Sequence, residues 1–117
     1  MRSRFAAFAL GRGAYLYETL AESHPDRDTP CATAVRELSR ARERQRFLRL
    51  AILWAAEDEV LFHAGIFERG EDRSFAELSS FVRENGRWRY ASGLLVPASR
   101  LPADLARIER EAFLMLV

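Results

Sequence analysis

Lysine is absent from this 117-residue sequence, and cysteine, histidine and methionine are scarce. All 18 basic residues are therefore arginine, and 17 acidic residues offset them to a formal net charge of +1. Because a nearly neutral chain has no basic field to hold a phosphate backbone, we expect no general nucleic-acid binding. The arginine-only composition indicates a GC-rich genome rather than selection for bidentate contacts.

The scarcity of metal-ligating residues argues against a metal centre. Cys31 is the single cysteine, so the chain cannot form an internal disulfide, and His24 and His63 are too far apart in sequence to complete a closed zinc site with it. The sequence also has no glycine-rich phosphate loop, no His-Glu-x-x-His and no Gly-x-Ser-x-Gly motif. We therefore expect no metal and no cofactor, and we favour a non-catalytic protein over an enzyme.

Long apolar runs are missing as well. The apolar tail at residues 113–117 is far too short to span a membrane, and the first residues do not read as a secretory signal. With so little cysteine, the sequence predicts a bacterial protein of the cytoplasm that has no contact with membranes.

The order of the predicted elements is helices first and strands afterwards. About half of the residues are hydrophobic, which at this length supports one core. Apolar spacing and breaker residues predict helices at 1–10, 14–22 and 33–46, strands at 47–54, 59–67, 74–84 and 87–96, and a terminal helix at 103–116. This order predicts an α+β fold in which N-terminal helices pack on a curved four-stranded antiparallel sheet, with the strands in sequence order. We expect residues 1–96 to form this domain and residues 97–117 to form a linker and a helix that packs on it.

The dipeptide Asn85-Gly86 is the strongest local signal, because it lies between two runs of aromatic and β-branched residues and predicts a tight hairpin. Counting outwards from this turn places Phe81 opposite Tyr90, Ser79 opposite Ser92 and Glu77 opposite Leu94. One face of the hairpin then carries Glu77, Ser79, Phe81, Arg83, Trp88, Tyr90, Ser92 and Leu94.

Several segments resemble a known family. They are residues 1–8, Tyr15-Leu16, His24-Pro25, the strand at 60–67 and the hairpin at 77–90. Together they resemble the middle domain of the YchJ-like family, over roughly residues 1–93. The resemblance implies a cystatin-like, nuclear-transport-factor-two-like cone, and it implies no established activity.

The sequence departs from that family in two respects. Members commonly carry SEC-C segments, which are short cysteine-rich zinc modules, and this sequence has none. Either the module has been lost or it lies upstream of Met1. The family's Glu-Arg-Ser-Arg-Phe strand maps onto residues 77–81, with Leu78 and Ser80 in place of its two arginines. Since side chains at positions 78 and 80 would point away from Glu77, we expect the loss of the two arginines to alter the outer surface more than a pocket.

The resemblance to a cone makes its concavity the candidate site. We expect this pocket to involve Arg4, Glu77, Ser79, Phe81, Trp88 and Tyr90, with Arg4 as a counter-charge for Glu77. A carboxyl group among aromatic rings favours its protonated form unless a cation pairs with it, and such a group suits acid or base chemistry. A structural network around Glu77 is the favoured alternative. His63 is a weaker candidate, since its strand orientation is not fixed by the sequence.

Three functions follow as hypotheses. The first, which we favour, is a non-catalytic binding or adaptor domain related to SEC-C proteins, with an unknown protein partner or small ligand. The second is a small-molecule pocket, or an isomerase- or dehydratase-like enzyme that uses Glu77. The third is a dimerisation module. The apolar stripe of the last helix (Leu105, Ile108, Ala112 and Met115) is expected to pack on the domain or on a second copy, so a homodimer is one outcome.

Overall fold

The computed structural model describes residues 1–103 and 108–117, and it divides into N-terminal helices, a sheet and a C-terminal segment. The helices are α1 (Arg2–Leu10), α2 (Gly13–Glu18), α3 (Cys31–Ser39), α4 (Ala41–Arg44) and α5 (Arg110–Leu114). The strands are β1 (Gln45–Ala55), β2 (Glu59–Glu68), β3 (Glu71–Asp72), β4 (Phe75–Glu84) and β5 (Arg87–Pro97). Short 3-10 helices span Pro25–Asp28 and Ala98–Arg100.

The sheet confirms the predicted α+β fold. Its four long strands run antiparallel in the order β1-β2-β4-β5, and the two-residue strand β3 is a fifth that pairs with the end of β2. This fifth strand arises because Arg69 and Gly70, both at positive φ, turn the chain tightly back onto β2.

The first two helices end where the sequence permits it. At the end of α1, Gly11 has φ 69°, the left-handed conformation that glycine adopts without strain. The second helix is shorter than predicted and ends at Glu18. The next residues are drawn to the sheet instead: the Tyr90 amide donates to the Thr19 carbonyl at 2.7 Å, and the Ala21 amide donates to the Tyr90 carbonyl at 2.8 Å.

The predicted helix over 33–46 is also wrong in its extent. Helix α3 covers Cys31–Ser39, the short α4 follows, and β1 already begins at Gln45. The helical pattern of this arginine-rich run is overridden because Gln45 pairs with Glu68 on β2, so tertiary pairing decides the conformation.

The hairpin between β4 and β5 follows the predicted register only near its turn. Asn85 and Gly86 both have positive φ, and Phe81 pairs with Tyr90 as predicted. A β-bulge at Ala91 then inserts one residue, so Ser79 pairs with Gly93 and Glu77 pairs with Leu95. The predicted pairs of Ser79 with Ser92 and of Glu77 with Leu94 are therefore wrong, and Ser92 and Leu94 lie on the opposite face from Glu77.

The two faces of the sheet are covered by different parts of the chain. The inner face, which carries Phe62, Ala64, Glu77 and Tyr90, lies under the N-terminal helices. The outer face, which carries Leu61, Leu78 and Val96, packs against Ile108 and Phe113 of the C-terminal segment.

The C-terminal segment differs from its predicted stripe. Ile108 is buried as expected, but Ala112 and Met115 are exposed, Met115 by 85%. Phe113, which was not on the stripe, is fully buried. In the described part of the chain the only helix here is α5, so the long terminal helix is not observed, and Leu105 lies outside the described residues. The ring of Phe113 buries more apolar area than Ala112 or Met115 would, which explains why α5 turns Phe113 rather than these residues towards the sheet.

Among the residues described, no helix is long and apolar enough to cross a membrane.

Candidate functional site

A cavity of about 300 Å³ lies between the N-terminal helices and the inner face of the sheet. This volume lies at the lower end of the range for small-molecule sites. Its lining is Met1, Arg4, Phe5, Phe8, Leu20, His24, Asp26, Leu38, Gln45, Phe47, Phe62, Ala64, Ile66, Phe75, Glu77 and Tyr90.

Five phenylalanines form an aromatic wall of the cavity. Phe5 and Phe8 of α1 pack on Phe47 of β1, with ring centroids 5.7 and 5.9 Å away. Phe62 and Phe75 meet edge to face on neighbouring strands at 6.1 Å. Such rings present a rigid apolar surface with little rotamer freedom to lose on binding.

Glu77 forms the centre of the polar end of the cavity. Its Oε2 accepts a hydrogen bond from the Ser79 hydroxyl at 2.5 Å and another from the Tyr90 hydroxyl at 2.9 Å. Two donors on one carboxylate oxygen fix the orientation of the group. The half-buried Glu77 side chain is thus part of an ordered network rather than a free carboxyl.

Tyr90 connects this network to the rest of the site. Burial is the main cause that raises the pKa of its phenol above the usual value, and the neighbouring Glu77 carboxylate, as a charge and as a hydrogen-bond acceptor, adds to the rise. The hydroxyl therefore stays protonated and donates to Glu77 at any physiological pH.

Arg4 lies over the ring of Tyr90. Its guanidinium carbon lies 4.8 Å from the centroid of the Tyr90 ring, and the side chain is only 5% exposed. Nη1 donates to the Leu16 carbonyl at 3.0 Å and to the Thr19 hydroxyl, which ties α1 to the end of α2. Burial lowers the pKa of Arg4 from its ordinary value, although nearby Tyr90 opposes that shift.

Arg4 and Glu77 do not form the ion pair that we expected. In the part of the chain that the structure describes, no carboxylate oxygen lies within 4.0 Å of Arg4. The Tyr90 side chain contacts both groups, the ring with Arg4 and the hydroxyl with Glu77. The site therefore contains a cation, a phenol and an anion in sequence, and among the described residues no carboxylate forms an ion pair with the cation.

His24 closes the polar end from the helical side. Its ring centroid lies 5.6 Å from that of Tyr90, and its Nδ1 accepts from the Asp26 amide at 3.1 Å. This bond caps the 3-10 helix at Pro25–Asp28. In the neutral ring the remaining proton is then on Nε2.

The other predicted pocket residues lie outside the cavity lining. Ser79 is fully buried and acts on Glu77 through its hydrogen bond. Phe81 packs edge to face on Tyr90 at 5.9 Å. Trp88 is 41% exposed and lies near Arg83, whose guanidinium carbon is 5.2 Å from its ring centroid. From this hairpin, only Phe75 and Glu77 of β4 and Tyr90 of β5 line the cavity.

His63 lies away from the cavity. It pairs with Ala51 and Ala76, and its side chain alternates with Phe62 and Ala64, so it belongs to the outer face. Burial, followed by the charge of Arg49, lowers its pKa below the ordinary value.

Two features of the site were missed from the sequence. The aromatic wall comes from four separate segments, and no local pattern joins them. The second feature is the close approach of side chains at Gly93, where a Cβ would collide with Glu77 Oε2 and with the Tyr90 hydroxyl. A glycine inside a strand is a recognised signal of such close approach, so this feature was open to sequence reasoning.

The residues described do not bring three or more histidine, cysteine, aspartate or glutamate side chains together in a metal-binding group. Cys31 is exposed. What the cavity offers is therefore an aromatic container with one fixed polar end.

The comparisons with known proteins agree with this architecture. No curated protein and no solved structure matched the sequence. A family model described as "YchJ, middle NTF2-like domain" matches residues 1–93, which include all four N-terminal helices, the cavity lining and the hairpin up to Gly93. The chain therefore belongs to the family of the middle, NTF2-like domain of YchJ.

Proposed function

We propose that this domain is a non-catalytic binding module whose cavity takes up a small, largely apolar ligand. The observation that carries the proposal is the cavity of about 300 Å³ with five phenylalanines and one polar end. An apolar cavity with a few convergent polar groups is the usual form of a ligand site, whereas a purely structural core is packed without such space.

Catalysis is not part of the proposal, because Glu77, the candidate acid or base, is already engaged with Ser79 and Tyr90. Glu77 Oε2 accepts from two hydroxyls, and the Tyr90 proton is held against that carboxylate. An acid or base in catalysis must be positioned against the reacting group, and here the Tyr90 proton is committed to Glu77 instead. The network around Tyr90 instead favours rigid orientation.

Ligand binding is tested by titrating the isotope-labelled protein with indole and naphthalene and recording amide NMR shifts. We expect shifts at the inner-face residues Phe62, Ala64 and Tyr90 and none at Val82, which is exposed on the far half of the hairpin. An Ala64→Leu variant narrows the cavity from the sheet side and is expected to weaken binding. Ala6→Leu, on an exposed site of α1, is the matched control.

Two results would overturn the proposal. One is the absence of any shift at saturating probe concentrations. The other is equal binding by wild type and a folded Ala64→Leu protein.

A second candidate function, self-association as a dimerisation or adaptor module, is favoured by the edge strand β5. Leu94 and Leu95 of this strand are 44% and 52% exposed. Residues 19–21 pair with β5 only at Tyr90, so the following part of this edge is available to a second copy of the chain. Light scattering tests this candidate: a dimer that dissociates in Leu95→Arg supports it, and a monomeric wild type excludes it.

We place this function in the bacterial cytoplasm, since the single exposed cysteine suits a reducing compartment. Fractionation of cells that produce the chain with a C-terminal tag tests the location, which would be wrong if the protein were recovered from the periplasm.

A further inference from the structure

We infer that the ligand is a monocarboxylate with a compact apolar body, and that Arg4 is the residue that recognises its carboxylate. The inference rests on the proposed function and adds the chemical class of the ligand. It is carried by the buried, unpaired guanidinium of Arg4 at the polar end of an aromatic cavity.

The first step concerns the energy of the buried cation. Only 5% of the surface of Arg4 is exposed, and no carboxylate of the described residues lies within ion-pair distance of it. Removing a charge from water without a counter-ion is costly, and a carbonyl and a hydroxyl compensate only part of that cost. A bound anion would supply a partner for this charge, so the site favours a negatively charged group.

The second step concerns the geometry of the guanidinium. Arg4 donates to two protein acceptors, the Leu16 carbonyl and the Thr19 hydroxyl, and both hydrogen bonds come from Nη1. Nε is buried with no acceptor, and Nη2 has none among the described residues. Because Nε is closed off by its neighbours, Nη2 is the donor that a ligand in the cavity can reach, and a charge-assisted hydrogen bond from it suits a carboxylate oxygen.

The third step explains why this edge is preorganised. Nη1 is anchored to α2, and the guanidinium lies against the Tyr90 ring, whose hydroxyl is bonded to Glu77. The Nη2 donor is therefore held in one orientation before a ligand arrives, which lowers the entropic cost of binding.

The fourth step limits the charge of the ligand. Glu77 and Asp26 also line the cavity, so a second negative charge on the ligand would face like charges. The remaining walls are phenylalanine, leucine and isoleucine side chains, which accept an apolar body. A single carboxylate on an aromatic or branched aliphatic body satisfies both conditions, and dicarboxylates and phosphates do not.

The test compares ligands of equal shape and different charge on the wild-type protein. Phenylacetate and phenylacetamide are nearly isosteric, and phenylsuccinate adds a second carboxylate. We expect calorimetry or NMR titration to show phenylacetate binding about tenfold more tightly than the amide, the ratio that corresponds to one charge-assisted contact. Phenylsuccinate is expected to bind more weakly than phenylacetate.

A variant then assigns the preference to Arg4. Arg4→Gln is expected to abolish the preference for phenylacetate while phenylacetamide still binds, and Arg2→Gln, at an exposed position of the same helix, is expected to keep it. If Arg4→Gln does not fold, the comparison of the two isosteres on the wild type remains decisive.

The outcomes separate this inference from the proposed function. Equal affinity for the acid and the amide overturns the inference and leaves the cavity as a ligand site. A folded Arg4→Gln protein that keeps the preference also overturns it. Failure of every probe to bind overturns the proposed function itself.

Discussion

At the scale of single residues, Gly93 decides whether the polar end of the cavity can form. It pairs with Ser79, and the hydroxyl of Tyr90 and the carboxylate of Glu77 meet in the space that a side chain would fill. The bulge at Ala91 brings this glycine, rather than Ser92, into that position. Backbone irregularity and side-chain chemistry are thus coupled at one point.

Gly93→Ala is predicted to destabilise the protein by about 1 to 3 kcal/mol, because the added methyl group overpacks the site. It should also weaken ligand binding, since Tyr90 and Glu77 must move apart. Gly70→Ala is the control: its φ of 78° makes the substitution strained, but nothing lies within 4 Å of the new atom. Urea unfolding and probe titration of both variants check this, and unchanged binding in Gly93→Ala would contradict it.

Tyr90→Phe removes one donor from Glu77 and is predicted to cost about 1 to 2 kcal/mol at neutral pH. The pH dependence has a definite sign. Because the folded protein raises the pKa of this phenol, its contribution is complete below the ordinary value of 10.0 and is lost as the pH rises above it. The chain has no lysine, so few other groups titrate there.

The measurement is the free energy of unfolding between pH 8 and 11, a range chosen about the usual tyrosine value. Tyr90→Phe should lose less stability than wild type across it. Tyr15→Phe, which removes a surface hydrogen bond to Ser3, should follow the wild type. Parallel curves for wild type and Tyr90→Phe would refute the role given to this hydroxyl.

At the scale of elements, the sequence predicted what is local and failed where packing decides. Asn85-Gly86 specifies its turn through backbone conformation, so the hairpin and the pairing of Phe81 with Tyr90 followed directly. The bulge five residues later has no comparable local signal. The arginine-rich run near Gln45 has a helical pattern, yet pairing with β2 makes it a strand. The aromatic wall depends on contacts between distant segments, which no periodicity encodes.

Helix α5 offers a prediction at this scale, because the sequence placed its buried face incorrectly. Phe113 is fully buried against the outer face of the sheet, while Met115 is 85% exposed. Phe113→Ala is predicted to cost about 3 to 5 kcal/mol and Met115→Ala less than about 0.5 kcal/mol. Thermal melts of the two variants decide between this packing and the predicted stripe, for which the two costs would be reversed.

At the scale of the whole molecule, the family match ends at residue 93, but packing continues beyond it. Arg110 Nε donates to Glu59 Oε1 at 2.8 Å, and Arg100 donates to the Leu116 carbonyl at 2.7 Å. The Arg110 contact, together with Ile108 and Phe113, connects the C-terminal segment to the outer face, whereas the Arg100 contact joins two parts of the segment itself. We propose that residues 97–117 are part of the same folding unit as residues 1–96, and not an independent appendage.

Removal of residues 102–117 tests this proposal. The truncated chain exposes the outer-face residues Leu61, Leu78 and Val96, which are at most 2% exposed in the full chain. An uncovered apolar face of a sheet favours self-association, so the truncated protein is predicted to melt at a lower temperature and to have a larger mass by light scattering. A full chain carrying Phe113→Asp serves as the matched control, since it loosens the same contact without shortening the chain. If the truncated and full-length proteins have equal melting temperatures and equal masses, the C-terminal segment neither completes the core nor shields the sheet.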